Sequence, residues 1–237
     1  MNLPVAILAG GLATRLKPRT ETVPKVLLTV AGKPFAVHQL ELLRRNGLTE
    51  FVFCVGHMGE QVEATLGDGH DLGVRIQYVY DGPALLGTGG ALRNAAGLLG
   101  REFLVLYGDS YLECEYSKVI GAFRDSGRPG LMTVFHNSDS WDKSNVEFVD
   151  GEIRKYDKVA RTPSMRHIDY GLGVFRTSVF ESYRENEPLD LVTVYQALLA
   201  AGQLAGFEVK QRFYEIGSPQ GLEETDRYLK ILGRGST

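Results

Sequence analysis

The sequence predicts an α/β fold: a doubly wound, mostly parallel sheet into which an antiparallel hairpin region is inserted. Three observations lead there. The first half alternates short apolar runs with helix-patterned segments joined by short connections. Several runs are apolar at successive positions, as strands buried on both faces are. The second half then changes character, with Asp150-Gly151 between two short strand-like runs, a strong hairpin signal.

The elements follow in order. "PVAILA" (4–9) reads as a doubly buried strand. "KPFAVHQLELLRRNG" reads as a helix with Pro34 in its first turn, Phe35, Leu40 and Leu43 on one side, Arg44 and Arg45 at its end, and Gly47 as its stop. Strand "FVFCV" (51–55), a helix around "GEQVEATL" and strand "VRIQYVY" (74–80) come next, then a helix over Gly89–Leu99 and strand "EFLVLY" (102–107). Beyond "LMTVFH" (131–136) and the Asp150-Gly151 hairpin, "GLGVFR", "FEVK" and "RFYEI" are further strands, interrupted by an amphipathic helix over Leu191–Ala201. The final helix opens with Ser218 as cap and Pro219 in its first turn. One domain is expected over residues 1–232, with 233–237 as a frayed tail.

Composition narrows the partners. Apolar residues at 43% and charged residues at 23% suit a soluble enzyme, and the net charge of −3 excludes a basic nucleic-acid footprint. Any anion must therefore be met by a few local cations. Cys54 and Cys114 have no metal or redox spacing, which suits reduced thiols in a cytoplasmic protein. The N-terminal apolar run is too short for a signal or a membrane span, so no membrane partner is expected. Apolar side chains in the last two helices offer a homodimer contact.

Open α/β sheets bind ligands beyond the carboxyl ends of their strands, so those ends are where chemistry is sought. The first strand runs into Gly10-Gly11, where paired glycines let backbone N–H groups turn toward an anion. Arg15 adds a fork for phosphate oxygens and Lys25 a mobile point charge. Neither the dinucleotide G-x-G-x-x-G nor the Walker G-K-[ST] spacing is met, yet glycines, arginine and lysine together point to a diphosphate or triphosphate. Asp109 follows the most apolar strand and Glu215 closes a later one; two carboxylates completed by phosphate oxygens are what Mg²⁺ takes. "LLGTGGAL" holds glycines where a flat base would lie against bare backbone, or where a tight loop simply starts a helix.

At this point the motifs resemble a family. "LAGGLATRLKPRTETVPKVLLTVAGKP" looks like the signature of the sugar-1-phosphate nucleotidyltransferases, and "LLGTGGAL", "VLYGDS", "YDK", "DYG" and "YEIGSP" follow in that family's order. Within it the chain is most similar to the small guanylyltransferases of D-glycero-D-manno-heptose 1-phosphate, and next to the small N-acetylmuramate-1-phosphate uridylyltransferases. The resemblance implies a Rossmann-like sheet of the kind seen in GT-A glycosyltransferases, a mainly nucleotide-binding half over 1–130 and a mainly sugar-binding half over 131–215. It implies an NTP and a sugar 1-phosphate as substrates and Mg²⁺ as cofactor. Leu8, Ala9, Gly10, Gly11 and Thr14 would hold ribose and phosphates, with Gly87, Thr88 and Gly89 beside the base. Arg15 would hold the β- and γ-phosphates, Lys25 the α-phosphate, and Asp109 with Glu215 the metal. Lys158 would grip the sugar phosphate, with Asn145, Glu147, Asp157, Tyr170 and Gly171 around the sugar.

The chain departs from the family pattern at Ala13, expected to be accommodated at negative φ in place of a glycine, at Glu215 in place of an aspartate, and at "DYG" in place of "NAG". Other readings stay open at this level. They are a UTP-dependent uridylyltransferase of N-acetylmuramate or glucose 1-phosphate, a metal-dependent glycosyltransferase, and a sugar-nucleotide-binding regulator without catalysis.

Overall fold

The computed structural model describes residues 3–82 and 84–234, the side chain of Arg234 excepted. In chain order the elements are β1 (Val5–Leu8), β2 (Thr29–Val30), β3 (Lys33–Pro34), α1 (Phe35–Arg45), β4 (Glu50–Val55), α2 (Gly59–Leu66), β5 (Arg75–Tyr80), α3 (Gly87–Ala95), β6 (Glu102–Tyr107) and β7 (Ser110–Leu112). They continue with α4 (Tyr116–Ser126), β8 (Gly130–His136), β9 (Val146–Val149), β10 (Glu152–Tyr156), β11 (His167–Arg176), α5 (Leu191–Ala200), β12 (Leu204–Val209), β13 (Phe213–Glu215) and α6 (Pro219–Arg234).

Nine strands form one mixed sheet ordered β10-β9-β11-β6-β1-β4-β5, with β8 and β12 branching from β11. β6, β1, β4 and β5 are mutually parallel, as the continuous apolar runs predict. β11 joins the halves, running antiparallel to β6 over Leu172–Arg176 and to β8 on its other edge. Against β8 it bulges between Asp169 and Gly173, which lifts Tyr170 and Gly171 out of regular pairing. The β9–β10 hairpin turns on Asp150 and Gly151, at φ 52° and 79°, the paired positive angles of a type I′ turn.

Period-2 alternation explains why both faces are covered. Val5 and Ile7 of β1, Phe51 and Phe53 of β4, and Leu104 and Leu106 of β6 point into one core beneath α1 and α4. Ala6, Val52, Phe103 and Val105 point into the other beneath α3 and α5. A third cluster seats α6 on α1 and on Tyr111 of β7.

Some elements differ from expectation by more than a residue. α3 begins at Gly87 rather than Gly89 and ends at Ala95, continuing as a 3₁₀ turn over Ala96–Leu98. α6 runs to Arg234, past the expected end at 232; residues 235–237 of the expected tail lie outside the described residues, as do Met1 and Asn2. α4 has no counterpart among the predicted elements, although Tyr116, Val119, Ile120 and Phe123 are buried at helical spacing. Among the described residues no helix is long and apolar enough to cross a membrane.

Phe103 is fully buried and packs against Phe175 and Phe180, with ring centroids 6.0 and 5.9 Å away. Phe103→Ala is expected to lower stability by about 3–5 kcal/mol, read as a reduced urea midpoint at unchanged m-value.

Candidate active site

The parallel register of β1 and β6 pairs Leu8 with Tyr107, so the segments after these two residues leave the sheet side by side. Gly108 donates its N–H to Leu8 O at 2.9 Å, and a Cβ there would sit 2.8 Å from that same oxygen. No other residue allows this approach. Gln39 of α1, buried, clamps the turn from behind: its Nε2 donates to Tyr107 O at 3.0 Å and to Ser110 O at 2.7 Å. On the β1 side, Ala13 precedes the 3₁₀ turn Thr14–Leu16 at φ 48°, ψ 40°. The expectation of negative φ is thus corrected. The chain turns here through the left-handed region, held by Thr20 Oγ1 donating to Ala13 O at 2.9 Å.

A cavity of about 250 Å³ opens between these loops and α3. Leu8, Ala9, Gly10 and Gly11 form one wall and Gly87 and Thr88 another. Thr14 is exposed on its 3₁₀ turn and does not line the cavity. Gly89 faces away: its N–H donates to Leu189 O at 2.8 Å, and a Cβ would meet the Leu189 side chain at 2.7 Å. Gly87, at φ 73°, and Gly90 lie equally close to the 187–189 backbone, so this glycine cluster serves the tight passage of that segment over α3. Thr88 Oγ1 donates to Asp190 and accepts from Leu191 N–H, tying the cavity edge to the start of α5.

Two polar groups in this cavity escaped the sequence reading. Asp81 closes β5 and lines the cavity, with Leu86 N–H donating to its Oδ2 at 3.4 Å. Burial raises its pKa above the ordinary carboxylate value, against the opposing pull of that N–H. Cys54, behind it, has its thiol pushed up to about 12 by burial and by Asp81, so it stays a neutral thiol. The strand-end rule that singled out Asp109 applies equally to Asp81 in "YVYDG".

At the cavity mouth Lys25 Nζ pairs with Asp109 Oδ2 at 2.6 Å, the side chains 19% and 22% exposed. Lys25 is presented by a 3₁₀ turn closed by Leu28 N–H on Lys25 O. Glu215 arrives on the β7–β13 ribbon, where it pairs with Ser110, and Ile216 N–H donates to Asp109 O at 2.9 Å. Its carboxylate accepts from Gly217 N–H and, at 2.5 Å, from Ser218 Oγ. A Cβ on Gly217 would meet Glu215 Oε2 at 2.8 Å, Asp109 Oδ2 at 3.0 Å and an Arg15 guanidinium nitrogen at 3.1 Å. The structure thus gathers Arg15, Lys25, Asp109 and Glu215 at one point. Among the described residues no group of three or more His, Cys, Asp or Glu side chains gathers as a metal site.

A second, wider cavity of about 560 Å³ adjoins the first and shares Tyr107 and Asp109 with it. Arg15, Asn145, Lys158, Tyr170, Gly171 and Glu215 line it. Glu147 and Asp157 do not. Glu147 accepts from Ser164 Oγ at 2.7 Å, and Asp157 caps its own loop through the N–H groups of Val159 and Ala160, which hold its pKa down.

The organising residue here is Asp169, the first position of "DYG", whose side chain is only 4% exposed. It accepts from Tyr156 Oη at 3.1 Å and from Gly171 N–H at 3.1 Å, and lies 3.8 Å from Lys158 Nζ. Burial and Asp169 push the Tyr156 phenol far above its ordinary range, so it remains the donor. Lys158 Nζ also lies over the rings of Tyr107 and Tyr156, 5.5 and 6.0 Å from their centroids. A glycine loop, Lys25 and Asp109 at the first cavity thus stand beside Arg15, Lys158 and Glu215 at the second.

The chain belongs to the nucleotidyl transferase family, whose model matches residues 5–229. It is 29% identical over 233 residues to the low-salt glycan biosynthesis nucleotidyltransferase Agl11 of Haloferax volcanii, covering 94% of this chain and 65% of that protein. It is 28% identical over 224 residues to the N-acetylmuramate alpha-1-phosphate uridylyltransferase of Neisseria meningitidis serogroup B, covering 92% and 94%. The chain spans 61–65% of the length of the first curated relatives it matches. In fold it is similar to HddC of Yersinia pseudotuberculosis, solved complexed with GMP-PN, with a TM-score of 0.82, 23% identity, and 96% and 100% of the two chains covered.

The left-handed Ala13 leads to an expected outcome. A non-glycine residue in this region carries a cost of roughly 1–2 kcal/mol, part of which glycine returns through its freer unfolded chain. Ala13→Gly is therefore expected to stabilise by up to about 1 kcal/mol, measured as a raised denaturation midpoint.

Proposed function

We propose that this chain transfers a nucleotidyl group from a nucleoside triphosphate to a sugar 1-phosphate, releasing pyrophosphate and forming a nucleoside diphosphate sugar. The observation that carries this reading is the meeting of two cavities at Tyr107 and Asp109, with Lys25 at the junction. The smaller, apolar-walled cavity suits base and ribose. The wider one, with Lys158 caged by Asp169 and two tyrosines, suits the sugar phosphate.

In the reaction a phosphate oxygen of the sugar 1-phosphate attacks the α-phosphorus in line. The new P–O bond forms as the bond from the α-phosphorus to the bridging oxygen of pyrophosphate breaks, and that oxygen leaves with the electron pair. The nucleophile is already ionised near neutral pH, so no general base is needed. The task is to bring two polyanions together and neutralise the charge on the α-phosphate, as in phosphoryl transfer generally. Lys158 holds the incoming phosphate, Lys25 faces the α-phosphate, and Arg15 takes the departing pyrophosphate. Asp109 and Glu215 fit Mg²⁺, because two adjacent carboxylates leave the remaining positions to phosphate oxygens and water. Bound there, Mg²⁺ would neutralise phosphate charge.

Asp81 favours GTP as the nucleotide. Guanine presents two neighbouring donors, N1–H and the N2 amino group, to a carboxylate, whereas uracil presents one donor flanked by two carbonyl acceptors that a carboxylate repels. Heptose or mannose 1-phosphate is the acceptor we favour, on the resemblance within the family.

A matrix of the common nucleoside triphosphates against sugar 1-phosphates, scored for pyrophosphate with Mg²⁺ present, tests this. GTP is expected to give the highest rates. Absence of pyrophosphate from every pair would overturn the reading, and release of a nucleoside diphosphate from a nucleotide sugar would replace it with glycosyl transfer. Lys25→Ala is expected to lower kcat on the order of 10²-fold or more, as removal of other preorganised charge stabilisers does; an unchanged kcat removes Lys25 from the chemistry. Asp81→Asn is expected to lower kcat/KM for GTP roughly 10–100-fold while narrowing the margin over UTP. The pH dependence follows in sign. The Asp81 pKa is raised, so its carboxylate protonates at a less acidic pH than an ordinary aspartate. KM for GTP should therefore climb as pH falls through that range, a limb absent from Asp81→Asn.

A further inference from the structure

Trp141, the single tryptophan of the chain, is 48% exposed, although it belongs to a tightly organised loop between β8 and β9. Its backbone N–H donates to Asn137 Oδ1 at 3.2 Å, and Asn137 Nδ2 in turn donates to Asp142 O at 2.5 Å and to Ser144 Oγ at 3.2 Å. The indole is the partition between two spaces. It lines the wide cavity that holds Lys158 and Gly171, and also a smaller pocket of about 120 Å³ that holds Arg212.

One face of the ring carries a cation. The Arg212 guanidinium carbon lies 3.4 Å from the Trp141 ring centroid and 4.6 Å from that of Tyr214. Tyr214 stacks on Tyr228 of α6 at 3.9 Å and 12°. Arg212 pairs with Glu224, while its Nε is buried without an acceptor, so stacking rather than saturated hydrogen bonding sets its plane. Arg212 borders the small pocket and not the wide one, so the face of the indole away from it is turned to the wide cavity. A large apolar surface is thus held rigid and left open inside a polar cavity. It is a preorganised platform, and among the described residues Arg212 is the only cation or aromatic ring stacked on the indole.

We propose that Trp141 is a specificity-determining platform for the sugar. Its open face packs against a run of ring C–H bonds on a pyranose 1-phosphate, while Lys158 holds the phosphate. The ligand class is a pyranose with one face clear of axial hydroxyls. This rests on the nucleotidyl-transfer reading for the identity of the second substrate.

Because Trp141 is the only tryptophan, the protein reports on itself. Titrating the best sugar 1-phosphate of the matrix, with and without a non-hydrolysable analogue of the best nucleoside triphosphate, is expected to change tryptophan emission saturably. The analogue alone should change it little. Trp141→Ala is expected to raise KM for the sugar 1-phosphate at least ~10-fold with kcat within about 3-fold, and Trp141→Phe to recover most of the loss, the pattern of a binding contact kept through the transition state. An unchanged KM for the nucleoside triphosphate shows that the variants keep their fold. The platform is overturned if emission stays constant across concentrations that saturate turnover, or if Trp141→Ala keeps its KM for the sugar phosphate. A wild-type protein that releases no pyrophosphate with any pair would instead overturn the reaction assignment, so the two failures are told apart.

Discussion

Everything at the site depends on how β1 pairs with β6. Their parallel register sets Leu8 beside Tyr107, and the backbone contact from Gly108 to Leu8 O locks the two departing segments together at 2.9 Å. A slip of one residue would turn each strand's alternate side chains to the opposite face. Here that would exchange Leu104 and Leu106 for Phe103 and Val105 between cores that fit only one set. The apolar packing of the two faces therefore fixes the register, and the register fixes the distance from the glycine loop to Asp109. Glu215 inherits that placement, because β13 pairs only with β7, the strand that begins directly after Asp109.

The electrostatics follow from this crowding. A chain with net charge −3 cannot draw phosphates by its overall field, so its cations must act at short range. Two are held near a carboxylate, Lys25 by Asp109 and Lys158 by Asp169, while the Arg15 guanidinium reaches the same edge of Gly217 as the carboxylates of Asp109 and Glu215. Such pairing keeps flexible side chains aimed at the cavities before any ligand arrives and reduces the ordering required on binding. Asp81 differs in having no cation partner among its described contacts, and burial alone raises its pKa. A half-buried carboxylate without a counter-charge keeps acceptor capacity turned to the cavity it lines.

The sequence made legible what depends on local pattern. The doubly buried strands, the Asp150-Gly151 turn and the Ser218 cap of α6, whose hydroxyl accepts from Gly221 N–H at 3.0 Å, follow from periodicity and turn chemistry. That Arg15 and Asp109 come close was legible too, since the ends of β1 and β6 are neighbours in such a sheet, while Glu215 reaches them on the separate β7–β13 ribbon. What stayed hidden depends on distant chain. Gly89 and Gly90 are shaped by Leu189, about a hundred residues on, and no local rule anticipates that crossing. Ala13 adopts a conformation usually left to glycine, held by a bond from Thr20 that spacing alone does not announce. Asp169 owes its weight to Tyr156, Lys158 and the bulge of β11, three features that meet only in the folded chain.

The two cavities are built from different materials, which bears on how specificity is divided between them. The smaller cavity is walled by strand ends and the first turn of α3, with Leu8, Cys54 and Ala91 fixed by the sheet and its helix. A change there must pass through the core and would cost stability. The wider cavity is walled by β11 and by the loops that carry Trp141 and Lys158, several of whose side chains are exposed. Substitutions in those loops leave the cores beneath the sheet untouched, so the shape of the wider cavity can change while the junction at Tyr107 and Asp109 stays in place. Tyr107 lines both cavities and lies beneath the Lys158 ammonium, and is the point at which the fixed half of the site meets the adaptable half.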